Sequence, residues 1–491
     1  MNSHTALHFD LQTAALNTMN EHGFQPQFSL EAMQQADELK NNEELIAAGP
    51  VKDLRTLFWS SIDNDTSRDL DQLEYAETLP NGDVKVMVAI ADVDSCVPKG
   101  SPIDEHAARE TTSVYTGVRV FPMLPEVLSN DLTSLLEGQD RRAMVIEFVV
   151  HGGDVVSSSI YPALVKNHAQ LAYNAVGAWL QGTGEAPEKV AASEELQAQL
   201  KLQSDVAQSL RADRYLHGAL NIETIETHPV VQKEEVVNIE RQQKNLATEL
   251  IEDFMIASNE VVAHTLEDAD WSSIRRVVKT PRRWNRIVEL AAQTGDVLPE
   301  EPDSSALNEY LTRRRNADPD HFPDLSLAVI KLLGPGEYVL EKPGQDSDGH
   351  FGLAVQDYTH STAPNRRFAD LATQRLLKAL IHKDPPPYSD QELSRIATNC
   401  TLREDQSRKV EREMQKRVAA VAMSGHLGET FNAVVTGVNE HGVFVRTLQP
   451  HMEGMLVQGQ SGLDVGDRLA AKLVNTDPRR GFIDFARAAS R

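Results

Sequence analysis

Only two cysteines, Cys96 and Cys400, occur in 491 residues, too few and too far apart for a disulfide framework or a thiolate metal motif. Both read as buried structural residues. No apolar run approaches the roughly 18 residues of a membrane span, and the N-terminus lacks the basic and apolar regions of a signal peptide. A soluble, cytoplasmic protein is expected, with no membrane partner. There is no internal repeat and no low-complexity tail. Basic charge is scarce: 48 Lys and Arg face 73 Asp and Glu, a net of −25. That deficit argues against a general polyanion binder, whose affinity comes from neutralising phosphates, unless the cations are concentrated in a channel. Residues 275–286 do gather Arg275, Arg276, Lys279, Arg282, Arg283 and Arg286 with no acid between them, and Arg313–Arg315 and Arg366–Arg367 form smaller groups. Each group also reads as a plain solvated basic face.

A hydrophobic content of 41% is enough for substantial cores, and the length suggests two to four domains. Over residues 1–50, Ala14, Leu16 and Met19 are spaced for one helix ending near Gly23. Ser29 is placed to cap a second helix running to about Leu39. This segment holds seven acids and one lysine, so a helix-turn-helix contacting phosphates is a poorer fit than a packing subdomain. Residues 84–91 and 143–150 read as strands buried on both faces, and 246–266 as a helix. Residues 403–420 read as a charged helix with Glu404–Arg408, Asp405–Lys409 and Glu413–Arg417 at i, i+4. Beyond about Gly428, short β-rich segments alternate with turn signals, and about five strands in that length suggest a small Greek-key barrel.

Four carboxylates, Asp63, Asp65, Asp69 and Asp71, fall within nine residues of the string SIDNDTSRDLDQ over 61–72. Magnesium prefers hard oxygen ligands, and two ions roughly 3.5–4 Å apart can activate a water and neutralise a leaving oxygen in phosphodiester cleavage. An acidic, Asx-rich surface turn fits the same string. A calcium EF-hand loop does not, because the required glycine and glutamate positions are absent.

A second segment, Tyr358-Thr359-His360-Ser361-Thr362-Ala363-Pro364-Asn365-Arg366-Arg367-Phe368-Ala369-Asp370-Leu371, resembles the pattern Y-T-H-x-T-S-P-I-R-R-Y-x-D-L. With the aspartate string it resembles the RNB catalytic domain of the ribonuclease II and ribonuclease R family. The segments around Thr112–Tyr115, Phe121–Glu126 and Leu128–Leu135, and then Leu250–Asn259, follow in the family's order. The C-terminal region resembles an S1-type OB-fold through Gly428, Val438, Gly442, Phe444, Val445, Glu453-Gly454 and Val465-Gly466-Asp467. The resemblance implies a multidomain α+β protein. Residues 1–50 form a helical N-terminal subdomain (a possible helix-turn-helix), 51–425 an RNB α/β core, and 426–491 an S1-type OB-fold barrel.

The same resemblance implies processive, hydrolytic 3′→5′ degradation of single-stranded RNA to nucleoside 5′-monophosphates with Mg2+, or Mn2+, by a monomer. Asp63, Asp69 and Asp71 fall on three of four family aspartates; Asp71 matches the one most tied to the chemical step, and Asp69 is also counted as catalytic. The fourth falls on Gln72, which offers only a neutral carbonyl, and Asp65 is a possible stand-in. Arg366 matches the active-site arginine, a group that can bridge two phosphate oxygens as charge develops; Arg367 reads equally well as structural. Tyr173 and Glu252 fall where the family contacts the 3′-terminal nucleotides, and a carboxylate suits a 2′-hydroxyl. Tyr115 matches an aromatic that stacks on bases. Core packing for Tyr115 and a polar helix face for Glu252 are the competing readings. Ile222 stands where the family has an aromatic, which weakens one stacking clamp. About 50 residues before the catalytic region do not hold the family's paired cold-shock domains, and the end at Arg491 lacks a lysine-rich tail, so single-stranded substrates and reliance on the C-terminal domain are expected. A non-catalytic RNA-binding or regulatory protein of the same fold is the alternative, because of Gln72 and the acidic charge.

Overall fold

A computed structural model describes residues 9–42, 49–223, 226–232, 235–242, 244–319, 321–345 and 348–488, with the backbone alone described over 226–232 and 235–242. Parts of the expected N-terminal segment, 1–8 and 43–48, and the terminal Arg491 lie outside the described residues. Helix α1 (Leu11–Glu21) starts where the Asp10 side chain accepts from the Thr13 N–H, and Gly23, with φ of 83°, follows its end. Helix α2 (Leu30–Asn41) starts at Ser29, whose hydroxyl accepts from the Ala32 N–H. The apolar side of α1 is buried against Val114, Phe121, Val410, Met414 and Val418. Ala32, Ala36 and Leu39 of α2 join the main core. The pair is thus packed onto the body along both helices.

The main core is built on β1 (Lys52–Asp53), β2 (Trp59–Asp63), β3 (Gln72–Thr78) and β4 (Val84–Ala91), followed by α3 (Pro102–Glu110). The short hairpin β5 (Val114–Tyr115) and β6 (Val120–Phe121) precedes the long strands β7 (Asp140–His151) and β8 (Asp154–Ala172). Sheet order is β1-β8-β2-β3-β4-β7, and β8 also pairs with β7. The 19-residue β8 makes that closure possible: its first part runs antiparallel to β7, and residues 167–172 run parallel to β2. Strands β4 and β7 are the two stretches expected to be buried on both faces. They pair from Val84↔Val150 to Ala91↔Ala143, and Val86–Ala91 are all buried.

Helices α4 (Tyr173–Leu180), α5 (Glu188–Ala191) and α6 (Glu194–Leu216) come next, then the hairpin β9 (Glu226–Gln232) and β10 (Glu235–Gln242). Helix α7 (Leu246–Asp268) opens with an Asn245–Thr248 capping box and buries Leu250, Phe254, Val261 and Leu266. The chain continues through β11 (Ser273–Val277), α8 (Trp284–Gln293), α9 (Ser304–Ala317), α10 (Phe322–Leu333), β12 (Glu337–Glu341) and α11 (Phe368–His382). Helix α12 (Asp390–Met423) has 34 residues and begins at a Ser389–Glu392 capping box, well before the expected 403. Glu404–Arg408 and Glu413–Arg417 pair as expected; Asp405 lies 3.9 Å from Arg408. Among the described residues, no helix is long and apolar enough to cross a membrane.

Strands β13 (Thr430–Asn439), β14 (Gly442–Thr447), β15 (Glu453–Gln458), β16 (Arg468–Asp477) and β17 (Phe482–Arg487) close into a barrel in the order β13-β14-β15-β17-β16. Gly454 is required at its crossing of β15 and β17, since a Cβ there would sit 2.5 Å from the Ile483 carbonyl oxygen. Ala420 and Met423 of α12 complete the barrel core, and Arg446 lies 3.0 Å from Asp324 on α10.

The basic run at 275–286 is not one phosphate-facing surface. Arg275 and Arg276 lie buried in β11, where Arg275 bonds Glu341 at 3.0 Å and Arg276 bonds Glu404 at 2.5 Å. Lys279 and Arg286 pair with Glu337 and Glu289. Cys96 and Cys400 are buried free thiols.

Candidate active site

The carboxylate string becomes a site because its two ends are held by different strands. Asp63 ends β2 opposite Ala172, the last residue of β8, so Tyr173 at the start of α4 is delivered beside it. The intervening turn folds back on Asp63, whose carboxylate accepts from the Asn64 N–H at 2.7 Å and the Ser67 hydroxyl at 2.9 Å. Leu70 is buried, and its backbone is clamped between the Ser134 hydroxyl and the Leu135 N–H at 3.0 Å each. With Leu70 anchored inward, Asp69 and Asp71 on either side face the cleft. Asp65 is exposed and does not line it, so it is not placed as a stand-in ligand.

The cleft has a volume of about 340 Å³ and is lined by Asp63, Asp69, Asp71, Gln72, Tyr115, Tyr173 and Arg366, with Ile251 and Met255 of α7 as its apolar wall. The Arg366 segment reaches it by pairing with the strand before the Tyr115 hairpin: Ser113 N–H donates to the Arg366 carbonyl at 3.0 Å, and Phe368 N–H to Thr111 at 2.8 Å. The Asn365 N–H donates to Asp71 at 3.0 Å, while the Asn365 side-chain oxygen accepts from Thr133 at 2.6 Å. Arg366 Nε stands 3.5 Å from Asp71, with 44% of its side chain exposed toward the opening. Its neighbour Arg367 turns inward to Asp370 at 2.6 Å, a structural pair. Burial pushes the Asp71 carboxyl up to about 7, against the pull of Arg366 and the Asn365 N–H, and burial also raises Asp63.

Tyr115 is 42% exposed, which sets aside the buried-core reading, and its hydroxyl donates to Asp69 at 3.3 Å. Burial of that hydroxyl end beside Asp69 raises the phenol above its ordinary range. Tyr173 is shifted the same way by burial and by Asp63 and Glu74. Glu252 is not brought to this cleft. It bonds to Lys244 at 2.7 Å and lines a neighbouring cavity of about 350 Å³ that also contains Ile222.

The donor set suits a hard divalent cation: three carboxylates, the Gln72 carbonyl, and charge exceeding what Arg366 balances. One further acid escaped sequence reasoning. Glu74 lies two residues beyond Gln72 on β3, is fully buried, and neither of its carboxyl oxygens has a hydrogen-bond partner. Burial, with the Asp63 charge nearby, holds it well above the usual carboxylate range. Strand alternation puts it on the face of Gln72, a signal available in sequence, although its burial was not. Among the described residues, three acidic ligand atoms lie within 4.8 Å of one another only at Glu267, Glu341 and Asp357. Arg275 pairs with Glu267 at 3.5 Å and Glu341 at 3.0 Å, so one guanidinium faces three carboxylates there.

A family model for the RNB domain matches residues 51–383, and one for the RNase II-type exonuclease C-terminal S1 domain matches 429–488. Ribonuclease R of Thermotoga maritima is 31% identical over 471 residues, taking in 88% of this chain and 64% of that protein. Ribonuclease R of Escherichia coli is 30% identical over 486 residues, 90% of this chain and 58% of that protein. The chain therefore spans less than two thirds of the length of these relatives. Mycoplasma genitalium RNase R in complex with ribose methylated single-stranded RNA superposes with a TM-score of 0.85 at 25% identity, covering 98% of this chain and 78% of that one.

Proposed function

The chain belongs to the RNB family of ribonuclease II and ribonuclease R, and from that premise we propose that it is a hydrolytic 3′→5′ exoribonuclease. Its substrate is single-stranded RNA, its products are nucleoside 5′-monophosphates, and its cofactor is a divalent cation, Mg2+ or Mn2+. The observation that carries this reading is the meeting of Asp63, Asp69 and Asp71 with Arg366 in one cleft, Arg366 lying 3.5 Å from Asp71.

Asp63, Asp69 and Asp71 would hold the cation, and Gln72 can add a neutral oxygen. When bound, the cation lowers the pKa of a water and neutralises the oxygen that leaves. Arg366 presents a planar, permanently charged donor to the scissile phosphate and stabilises charge that grows on its oxygens in the transition state. The Asn365 N–H fixes the Asp71 carboxylate, so that no reorganisation is needed when substrate arrives. Tyr115 offers a ring face to an upstream base, and Tyr173 supports recognition of the terminal nucleotide beside Asp63. Ile251 and Met255 limit water at the cleft wall. Glu252 would read a 2′-hydroxyl only for a nucleotide reaching the adjoining cavity.

A 5′-labelled single-stranded RNA should be shortened stepwise in Mg2+ and spared in chelator; an unchanged band in both, from folded protein, would overturn the assignment. Asp71→Asn should lose nearly all cleavage while still retarding the same RNA in a gel. The alternative, an RNA-binding protein of this fold without catalysis, is favoured by Gln72. It predicts RNA binding with no heat of Mg2+ binding in calorimetry, and activity appearing on Gln72→Asp.

A further inference from the structure

We propose that Glu74 supplies the fourth acidic group that position 72 lacks, acting on the divalent cation from behind Gln72 on the same face of β3. The inference rests on the reading of the Asp63–Asp69–Asp71 cleft as a cation site. Three observations carry it. Side chains two apart on a strand share a face, so Glu74 is on the side of the strand that presents Gln72 to the cleft. Glu74 is 0% exposed and neither carboxyl oxygen has a hydrogen-bond partner, an arrangement that burial penalises unless a positive group completes it. It does not itself line the cleft but pairs with Ser60 of β2, the strand that ends in Asp63, which sets it just behind the rim.

The charge count gives the same result. Asp63, Asp69 and Asp71 provide three carboxylates, and a glutamine in place of a fourth aspartate leaves the site one acidic group short. A carboxylate two residues on restores the count without changing the backbone of the aspartate loop. Gln72 thus leaves the rim with a neutral oxygen, and Glu74 places a carboxylate below it.

Binding of Mn2+ to the full chain, followed by calorimetry and by the electron paramagnetic resonance of free Mn2+, tests this without reference to activity. Glu74→Gln, which keeps the shape, and Glu74→Leu, which removes the buried polar group, should each weaken Mn2+ binding by about 10–100-fold. Gln72→Asp placed on Glu74→Gln should restore most of the loss while adding little to the wild-type chain. In chelator, Glu74→Leu should melt no lower than wild type, because an unpaired buried carboxyl has been removed; a purely structural Glu74 would move that midpoint down. Mn2+ isotherms of both Glu74 variants that superimpose on wild type, while Asp71→Asn weakens binding, would overturn the inference and assign the Glu74 oxygens to enclosed water. If Asp71→Asn also leaves the isotherm unchanged, the cation site itself is misread and this inference falls with it.

Discussion

Arg366 and Asp71 are 3.5 Å apart, and that single distance sets the requirements on both side chains. A lysine at 366 would keep the charge and lose the two-pronged donor geometry, so Arg366→Lys is expected to lower kcat by about 100–1,000-fold, the typical cost of a lost transition-state donor. Single-turnover rates at saturating RNA would check this, with KM changing far less. Tyr115 contributes at a different stage. Truncation to alanine should weaken RNA binding by about 1–3 kcal/mol, equally for purine and pyrimidine strands, as measured by fluorescence anisotropy with a chelator present. An effect confined to one base would indicate hydrogen-bond reading instead of stacking. That Asp63, Asp69, Asp71 and Arg366 line one cleft was expected from the resemblance of two segments read together, since the aspartate string alone fits a surface turn. Glu74 was not. In the alternation Leu73-Glu74-Tyr75 a glutamate reads as the solvent side of a strand, and its burial arises only when helices such as α6 close over β3, as the Gln199–Ala76 bonds show. The place of Glu252 in α7 was readable, but which cavity it lines depends on packing, and it lines the one beside the aspartate cleft.

Elements, in turn, place those side chains. Helix α7 supplies the cleft wall, and its N-terminus is fixed by Asn245, whose side chain accepts from the Ala247 and Thr248 N–H groups at 2.9 and 3.1 Å. That cap lies against Gly177 of α4, where an added Cβ would come within 2.3 Å of the asparagine. Gly177→Ala should therefore cost about 2–4 kcal/mol, combining a displaced cap with overpacking, and urea unfolding should show the midpoint falling accordingly. Helix existence was easy to read from the sequence, because amphipathic spacing and caps such as Ser29 are local. The start of α12 was missed although its signals are local: the Ser389–Glu392 box is followed by Leu393, Ile396, Ala397 and Cys400 at i, i+3, i+4 and i+7, and only the charged half from 403 was read as helix. The arginines of β11 misled for a physical reason. A buried guanidinium needs an acid, and Glu341 and Glu404 lie 66 and 128 residues away in the chain.

At the scale of the whole molecule, proton linkage connects distant packing to stability. His106 and His350 are pushed down to about 4, and His360 falls well below its ordinary value, chiefly through burial. An unfolded histidine titrates near 6.5, so the unfolded chain binds more protons between about pH 4 and 6.5 and stability is lost as pH falls through that window. Glu260, raised to about 7 mainly by burial, acts with the opposite sign, which makes the difference between variants the informative quantity. His106→Phe should flatten the fall in stability from pH 7 to pH 5 by on the order of 1–3 kcal/mol, read from denaturant midpoints at each pH. A slope identical to wild type would show that His106 is already protonated in the fold.

Helix α12 gives Leu393, Ala397 and Cys400 to the main core, Val410, Met414 and Val418 to the N-terminal cluster, and Ala420 and Met423 to the barrel. One rigid rod thus sets a rotational phase as well as a distance. Each residue inserted between Cys400 and Val410 would turn the barrel by about 100° and advance it by about 1.5 Å relative to the aspartate cleft. Chain length there is free to change only in near-whole turns, so the orientation of the barrel toward the cleft is quantised by the helix repeat.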